Sequence, residues 1–276
     1  MIENYLLIGT DATGNNKNGA DYQGSMADFL MLVIVDKTEN TYSFLQFNRD
    51  TMTEVALIDH NGEGEATANI QLCTAHWYGG NREQSCENTV KSVKKLLGGI
   101  QIDGYYELNM SEIPKLNSMV DGVTVTLEDD FSKKYPKMKK GATINLDDEQ
   151  AYAYVHDRYG VGDEENASRM KRQQQYMTGF FKKLQEKVKA NPNYANEVFE
   201  SLQDVSTTDI TIGKISNISN IFASGTDKGI FELAGKSKIG QALGDEMDHM
   251  EFYVNKKAMV STMSELFGIV EQKNKE

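Results

Sequence analysis

No run of apolar residues in the 276-residue chain approaches the ~20 needed to cross a bilayer as a helix. Met1 is followed almost at once by what reads as a strand, so no leader or span is visible. A cytoplasmic protein and a chain beginning just past an N-terminal membrane helix would both look like this. Basic charge is also scarce. A formal net charge of -12 excludes the broad basic face that a nucleic-acid backbone requires, so no nucleic-acid partner is expected. Cysteine is limited to Cys73 and Cys86, which do not form a CxxC pair, and a zinc site is therefore not expected. They are either two unrelated buried thiols or the ends of a bridge closing a short loop, worth roughly 3 kcal/mol in an oxidising compartment. The GxSxG elbow, the Walker loop and HExxH are all missing, leaving serine-hydrolase, P-loop and zincin chemistry without support.

What is present is an alternation of strand and helix patterns. Tyr5 to Ile8 is apolar and runs into Gly9-Thr10-Asp11 and a Gly/Asn-rich loop through Gly24, which places Asp11 at a strand's carboxyl end. Phe29 to Val35 is continuously apolar, as a buried central strand is, and the Lys37 to Asn40 turn predicts Tyr42 to Phe47 as its hairpin partner. Ser85 is the expected N-cap of a helix with Val90, Val93 and Leu97 on its apolar face and Gly98-Gly99 as its stop. Gly122 to Leu127 alternates like a strand, and Asp147 to Val155 predicts a short helix. Ser168 or Asn166 would cap a long helix that buries Met177, Phe180, Phe181, Leu184 and Val188 and ends near Asn191-Pro192. Beyond it, Asn196 to Leu202 and Met263 to Val270 read as helices. The expected architecture is α/β: a single-domain α/β/α sandwich with a central mixed sheet. Residues 1–190 would form its core and 191–276 a C-terminal helical completion.

Chemistry is sought where charged residues meet strand ends, because ligands of open α/β sheets gather there. Asp11, Asp28, Arg49 and Asp50 all fall at strand boundaries and would share one rim if their strands are neighbours. Such a mixture suits a metal-bound pyrophosphate: one or two carboxylates hold the cation, and arginines grip the remaining oxygens. Each aspartate is equally at home in an ordinary turn, and Arg49-Asp50 in a surface ion pair.

A second group, His156, Arg158, Arg169, Arg172 and Gln173, flanks an acid-rich loop and opens the long helix. A helix N-terminus attracts anions, and cations placed there oppose the dipole unless an anion is bound, which favours anion binding for this group. The apolar stripe of the same helix reads as core. His76 and Trp77 read as packing, and His249 has no evident partner.

Taken in order, LLIGTDATG, SMADFLMLVIVD, FNRDTM, CTAHWYGG, GGIQIDGYYELNMSEIPKLNSMVDGVTV, LDDEQAYAYVHDR and SRMKRQQQYM resemble the blocks of the LytR-CpsA-Psr family over roughly Tyr5 to Met177. The resemblance implies a polyprenyl-phosphate-binding fold that a single N-terminal membrane helix anchors outside the cytoplasmic membrane. It also implies a magnesium-dependent phosphotransferase, with manganese as an alternative ion. Such an enzyme moves a glycopolymer, a teichoic acid or capsule, from a polyprenyl-pyrophosphate carrier to peptidoglycan. On this reading Asp11 and Asp28 hold the metal. Arg49, Arg158, Arg169, Arg172, Gln173 and His156 face the pyrophosphate, with Arg49, Asp50, Arg158 and Arg169 as the catalytic set and Asp50 nearest the acceptor. Secretion would favour a Cys73–Cys86 bridge, and residues read as core could line a lipid tunnel.

Two positions depart from the family pattern. Met26 stands where the family carries an arginine, and His156 stands for the first arginine of an RxR pair. His156 supplies charge only below a pKa near ~6.5, and Met26 supplies none. Two rivals follow from this shortfall: a non-catalytic polyprenyl-phosphate-binding or regulatory protein, and a pyrophosphatase that uses water as acceptor.

Overall fold

The computed structural model describes residues 1–11, 22–64 and 66–268. In chain order its elements are β1 (Ile2–Thr10), β2 (Ala27–Asp36), β3 (Thr41–Gln46), β4 (Met52–Ala56), β5 (Thr67–Gln71), α1 (Arg82–Leu96), β6 (Gly104–Asn109) and α2 (Ile113–Met119). There follow β7 (Val123–Thr126), β8 (Thr143–Leu146), α3 (Asp148–His156), α4 (Asn166–Ala190), α5 (Tyr194–Ser201), β9 (Ser206–Thr208) and α6 (Ile212–Ser224). The chain closes with β10 (Thr226–Glu232), β11 (Gly235–Gly240), β12 (His249–Val254) and α7 (Lys256–Phe267). The expected α/β class with a central mixed sheet is what forms. Contacts divide the chain into two compact units: Met1–Leu108 with Ser206–Ile210 and Thr226–Glu276, and Asn109–Val205 with Thr211–Gly225.

The first unit is built on a six-stranded sheet of order β10-β3-β2-β1-β6-β9. Strands β1–β2 and β2–β3 pair antiparallel, the latter through the tight Lys37–Asn40 connection in which Asn40 takes φ 49°, whereas β10 returns parallel to β3. The even positions of β1 and β2 present Leu6, Ile8, Leu30, Leu32 and Ile34 to one face, where Leu45 and Phe47 join them. Cys86, Val90, Val93 and Leu97 of the α1 segment and Met259, Met263 and Leu266 of α7 complete this core. Each such side chain, fully buried, contributes ~1.5–3 kcal/mol. α1 begins earlier than expected, because the Asn81 side chain accepts from the Gln84 N–H as N-cap, and Ser85 lies inside the helix. It stops where expected, at Gly98 and Gly99, both at positive φ.

In the second unit, β7 and β8 pair antiparallel, and α3 starts at the capping box of Asp147 and Gln150. α4 buries Tyr176 and Phe180, with Met177, Phe181 and Leu184 half-buried, against Val123, Val125, Tyr154 and their neighbours, and Val188 is buried further along. Its N-cap is Glu165, so Asn166 is the first helical residue and Ser168 lies within the first turn.

The segment after Asn191 corrects one expectation. It is not only helical, because it supplies β9 to β12 as well as α5, α6 and α7, and its parts are shared between the two units. Alternation in β10 and β11 is masked by exposed polar residues, which removes the period-2 signal of a half-buried strand. The Gly/Asn-rich loop lies outside the described residues between positions 12 and 21, as do the last two residues of the expected Met263 to Val270 helix.

Candidate functional site

In the first unit, β1 and β3 both run antiparallel to β2, so the carboxyl ends of β1 and β3 and the amino end of β2 share one rim. This brings Asp11, Asp28, Arg49 and Asp50 to the same edge, as the strand boundaries implied. The register adds a detail. Gly9 pairs with Phe29 and Thr10 with Ala27, which leaves Asp28 as the extra residue of a β-bulge. A bulge bends its strand and re-aims a side chain, and here the re-aimed side chain is a carboxylate.

Asp28 accepts a charge-assisted hydrogen bond from Nη1 of Arg49, and Asp50 Oδ1 lies 3.6 Å from Nε of the same guanidinium. Nη2 donates to Sδ of Met26 at 2.9 Å and to Sγ of Cys73 at 3.3 Å. Arg49 thus sits between two carboxylates and two sulfur atoms, with 17% of its side chain exposed. Burial opposes its charge, but the Asp28 and Asp50 carboxylates and the hydrogen bond to Cys73 outweigh burial and raise its pKa, so it remains a cation. Burial pushes the Cys73 thiol up to about 11 even though Arg49 pulls against it, and Cys73 is therefore a neutral thiol at neutral pH.

The turn carrying Arg49 is fixed from both sides. The Asn48 side chain accepts from the Asp50 N–H at 2.9 Å, and the Asn48 carbonyl accepts from the Thr51 hydroxyl at 2.6 Å. The Phe252 N–H of β12 donates to the Asp50 carbonyl at 2.8 Å. A segment that sequence patterns left without a task thus pins the Arg49-Asp50 turn.

The Cys73–Cys86 bridge is not formed, and both thiols are free and buried. Cys73 lies in the 3-10 turn Leu72–His76 and faces Arg49, whereas Cys86 on α1 lies 3.7 Å from Nε2 of His76. Each sulfur is held by a different partner, so a short sequence separation does not become a bridge. His76 is core, as expected. Trp77 is not, being 48% exposed. His249 gains Asp245 as a partner at 2.8 Å.

Sequence reasoning missed a buried pair in this unit. Glu107, 2% exposed, accepts from Arg82 and, at 2.7 Å, from the hydroxyl of Thr10, the residue before Asp11. Its only signal was an isolated Glu in a strand.

The second unit gathers the other expected residues at the end of α3 and the start of α4, and gives two of them a structural task. Arg172 is 1% exposed: Nε donates to the Tyr154 carbonyl at 2.9 Å, Nη2 to the Asp157 carbonyl, and Nη1 to Asp129 at 2.5 Å. Gln173 Nε2 donates to the Val155 carbonyl at 3.2 Å. These are the carbonyls that a helix end leaves without partners, so both side chains serve as C-caps of α3. The cation at the start of α4 is therefore explained by the negative end of α3 and by Asp129, without a bound anion. Both were expected on a pyrophosphate, and each is here engaged with the end of α3.

Arg169, also buried, donates to Asn166 Oδ1 at 2.9 Å. Arg158 is half-buried, with its guanidinium 4.5 Å from the Tyr159 ring centroid. His156 stacks on Tyr152 at 4.6 Å, and its Nδ1 lies 3.2 Å from Asp157.

Two carboxylates at neighbouring strand ends fit a magnesium ion that takes its other ligands from substrate phosphates and water. No group of three or more His, Cys, Asp or Glu gathers at metal-binding distance among the described residues.

Comparison with known proteins agrees with this geometry. A search against curated proteins returned no match. Among solved structures, the protein gbs0355 from Streptococcus agalactiae superposes with a TM-score of 0.74 at 21% identity, covering 96% of this chain and 86% of its own. TagV of B. subtilis gives 0.71 at 20% identity, with 98% of each chain covered. TagT bound to LI-WTA gives 0.69 at 20% identity, with 96% and 89% covered. These identities establish a shared fold. The LytR_cpsA_psr family model matches residues 2–267, nearly the whole chain, and the protein belongs to the LytR-CpsA-Psr family.

Proposed function

We propose that the protein is a phosphotransferase that attaches a glycopolymer to peptidoglycan, taking it from a polyprenyl-pyrophosphate carrier on the outer face of the cytoplasmic membrane. The observation that carries this reading is the Asp28 bulge, which sets a carboxylate against Arg49 on the rim that also bears Asp11 and Asp50. Support comes from the family match and from the likeness to TagT, which is known bound to LI-WTA.

Asp11 and Asp28 would hold magnesium, or manganese in its place, which when bound neutralises phosphate charge and polarises the phosphorus under attack. Arg49 stabilises charge that develops on the phosphoryl oxygens, the contribution on which phosphoryl transfer depends most. Asp50, fixed by Asn48 and Phe252, takes the proton of the acceptor hydroxyl. The acceptor oxygen forms a bond to the phosphorus that bears the glycan, the bridging P–O bond breaks, and polyprenyl phosphate leaves. In the second unit, Arg158 and Arg169 remain candidates for anion binding, whereas Arg172 and Gln173 act by holding α3 and α4.

Transfer from a short-chain polyprenyl-pyrophosphate glycan to a wall-sugar acceptor tests the reading. Asp11→Ala and Asp28→Ala should each abolish magnesium-dependent transfer, and full activity in either removes that assignment. Met26, a thioether in place of a family arginine, favours a second reading in which the protein binds the lipid without catalysis. Binding with no phosphate-bond cleavage would establish it, and cleavage independent of the sugar acceptor would indicate a pyrophosphatase.

A further inference from the structure

The chain has a single tryptophan, and the fold turns it outward. His76, its neighbour, is 1% exposed, whereas Trp77 is 48% exposed. An indole is costly to leave in water, and tryptophan is characteristic of surfaces where an apolar ring meets a partner and its N–H stays wet.

The backbone beneath the ring is held on several sides. The Trp77 N–H donates to the Thr74 carbonyl at 2.9 Å, and Nδ2 of Asn88 donates to the Ala75 and Tyr78 carbonyls at 2.9 and 3.1 Å. Gly24 lies so close that a Cβ there would come within 2.3 Å of the Trp77 carbonyl oxygen. The His76 ring meets the Ser25 carbonyl at 3.0 Å. The exposed ring is thus mounted on a fixed loop.

That loop belongs to the rim. Cys73, four residues earlier, touches Arg49, and Met26, two residues beyond Gly24, touches it too. At ~2 Å rise per residue in a 3-10 turn, Trp77 stands about 8 Å along from Cys73. A ligand whose phosphate lies at Arg49 and whose next part is a sugar would extend over such a surface. The axial C–H bonds of a pyranose carry partial positive charge and match the negative face of an indole, whose quadrupole also binds cations.

We infer that Trp77 is a saccharide subsite, stacking a pyranose ring of the glycan beside the Asp28–Arg49 rim. The inference takes its biological sense from the glycopolymer-transfer reading, but its test requires binding only, so a chain that failed to transfer could still satisfy it.

The test is calorimetric titration of the whole chain, Trp77→Ala and Trp77→Phe with N-acetylglucosamine tetrasaccharide and, separately, inorganic pyrophosphate. Trp77→Ala should weaken the tetrasaccharide at least tenfold, Trp77→Phe should weaken it less because a ring remains, and pyrophosphate affinity should stay within twofold. Emission of the lone tryptophan should shift to the blue on adding the tetrasaccharide to the wild type. Saccharide affinity unchanged in Trp77→Ala, equal weakening of both ligands, or no saccharide binding by the wild type would each overturn the inference.

Discussion

Arg49 donates from Nη2 to Sγ of Cys73 at 3.3 Å, so a neutral thiol supports the cation at the centre of the candidate site. Met26 supports the same nitrogen at 2.9 Å. Sulfur accepts weakly, and neither atom adds charge of its own.

Replacing Met26 should therefore show what the missing cation costs. Met26→Arg adds a second guanidinium beside Arg49, where each hydrogen bond from a charged group is worth about 1.5–3 kcal/mol. We expect pyrophosphate affinity to rise about tenfold, at 1.4 kcal/mol per decade, with a steeper salt dependence. Calorimetric titration at two ionic strengths checks this. An unchanged affinity would mean that position 26 does not reach the anion.

Arg172 should behave as a structural residue. Its removal leaves Asp129 without its ion-pair partner and the Tyr154 and Asp157 carbonyls without a donor. Breaking a buried pair in this way costs about 3–5 kcal/mol, so Arg172→Ala should lower the unfolding free energy from denaturant titration by about that amount. Arg172→Lys keeps the charge but cannot span three acceptors, and it should recover only part of the loss. Wild-type stability in Arg172→Ala would return the residue to the list of anion ligands.

His76 makes stability depend on pH. Its Nδ1 faces the Ser25 carbonyl, which can only accept, so the proton sits on Nδ1 and Nε2 turns a lone pair towards Cys86. Burial, chiefly, holds its pKa below the ordinary histidine value. Above ~6.5 the folded and unfolded chains both carry it neutral. Below that value the unfolded chain takes up a proton that the folded chain refuses, so stability falls with pH until the folded pKa is passed. His76→Gln should flatten the decline in denaturation midpoint between about pH 6.5 and 5, leaving the later losses from carboxylates such as Asp157, whose pKa is lowered. A decline of equal slope in the variant would assign the effect elsewhere.

The local code of the sequence was enough for many elements. Continuous apolar residues from Phe29 to Val35 specify a central strand, Gly98-Gly99 stops α1, and the Asp147–Gln150 box starts α3, because each signal acts within one turn or one hairpin. The strand ends carrying Asp11, Asp28 and Arg49 were legible for the same reason, and ordered motifs revealed the family. Long-range register was not legible. The bulge at Asp28 exists only relative to β1, the C-capping by Arg172 only relative to α3, and the hold of Phe252 on Asp50 only once residues about two hundred apart in sequence are hydrogen-bonded. The two cysteines show the same limit, since closeness in sequence suggested a bridge whereas packing gave each sulfur its own partner. Local preference thus chose the elements and placed charges at their ends. Tertiary packing decided which charges face a ligand and which are spent on the fold, because a buried donor or acceptor must find its partner wherever the chain brings one within reach.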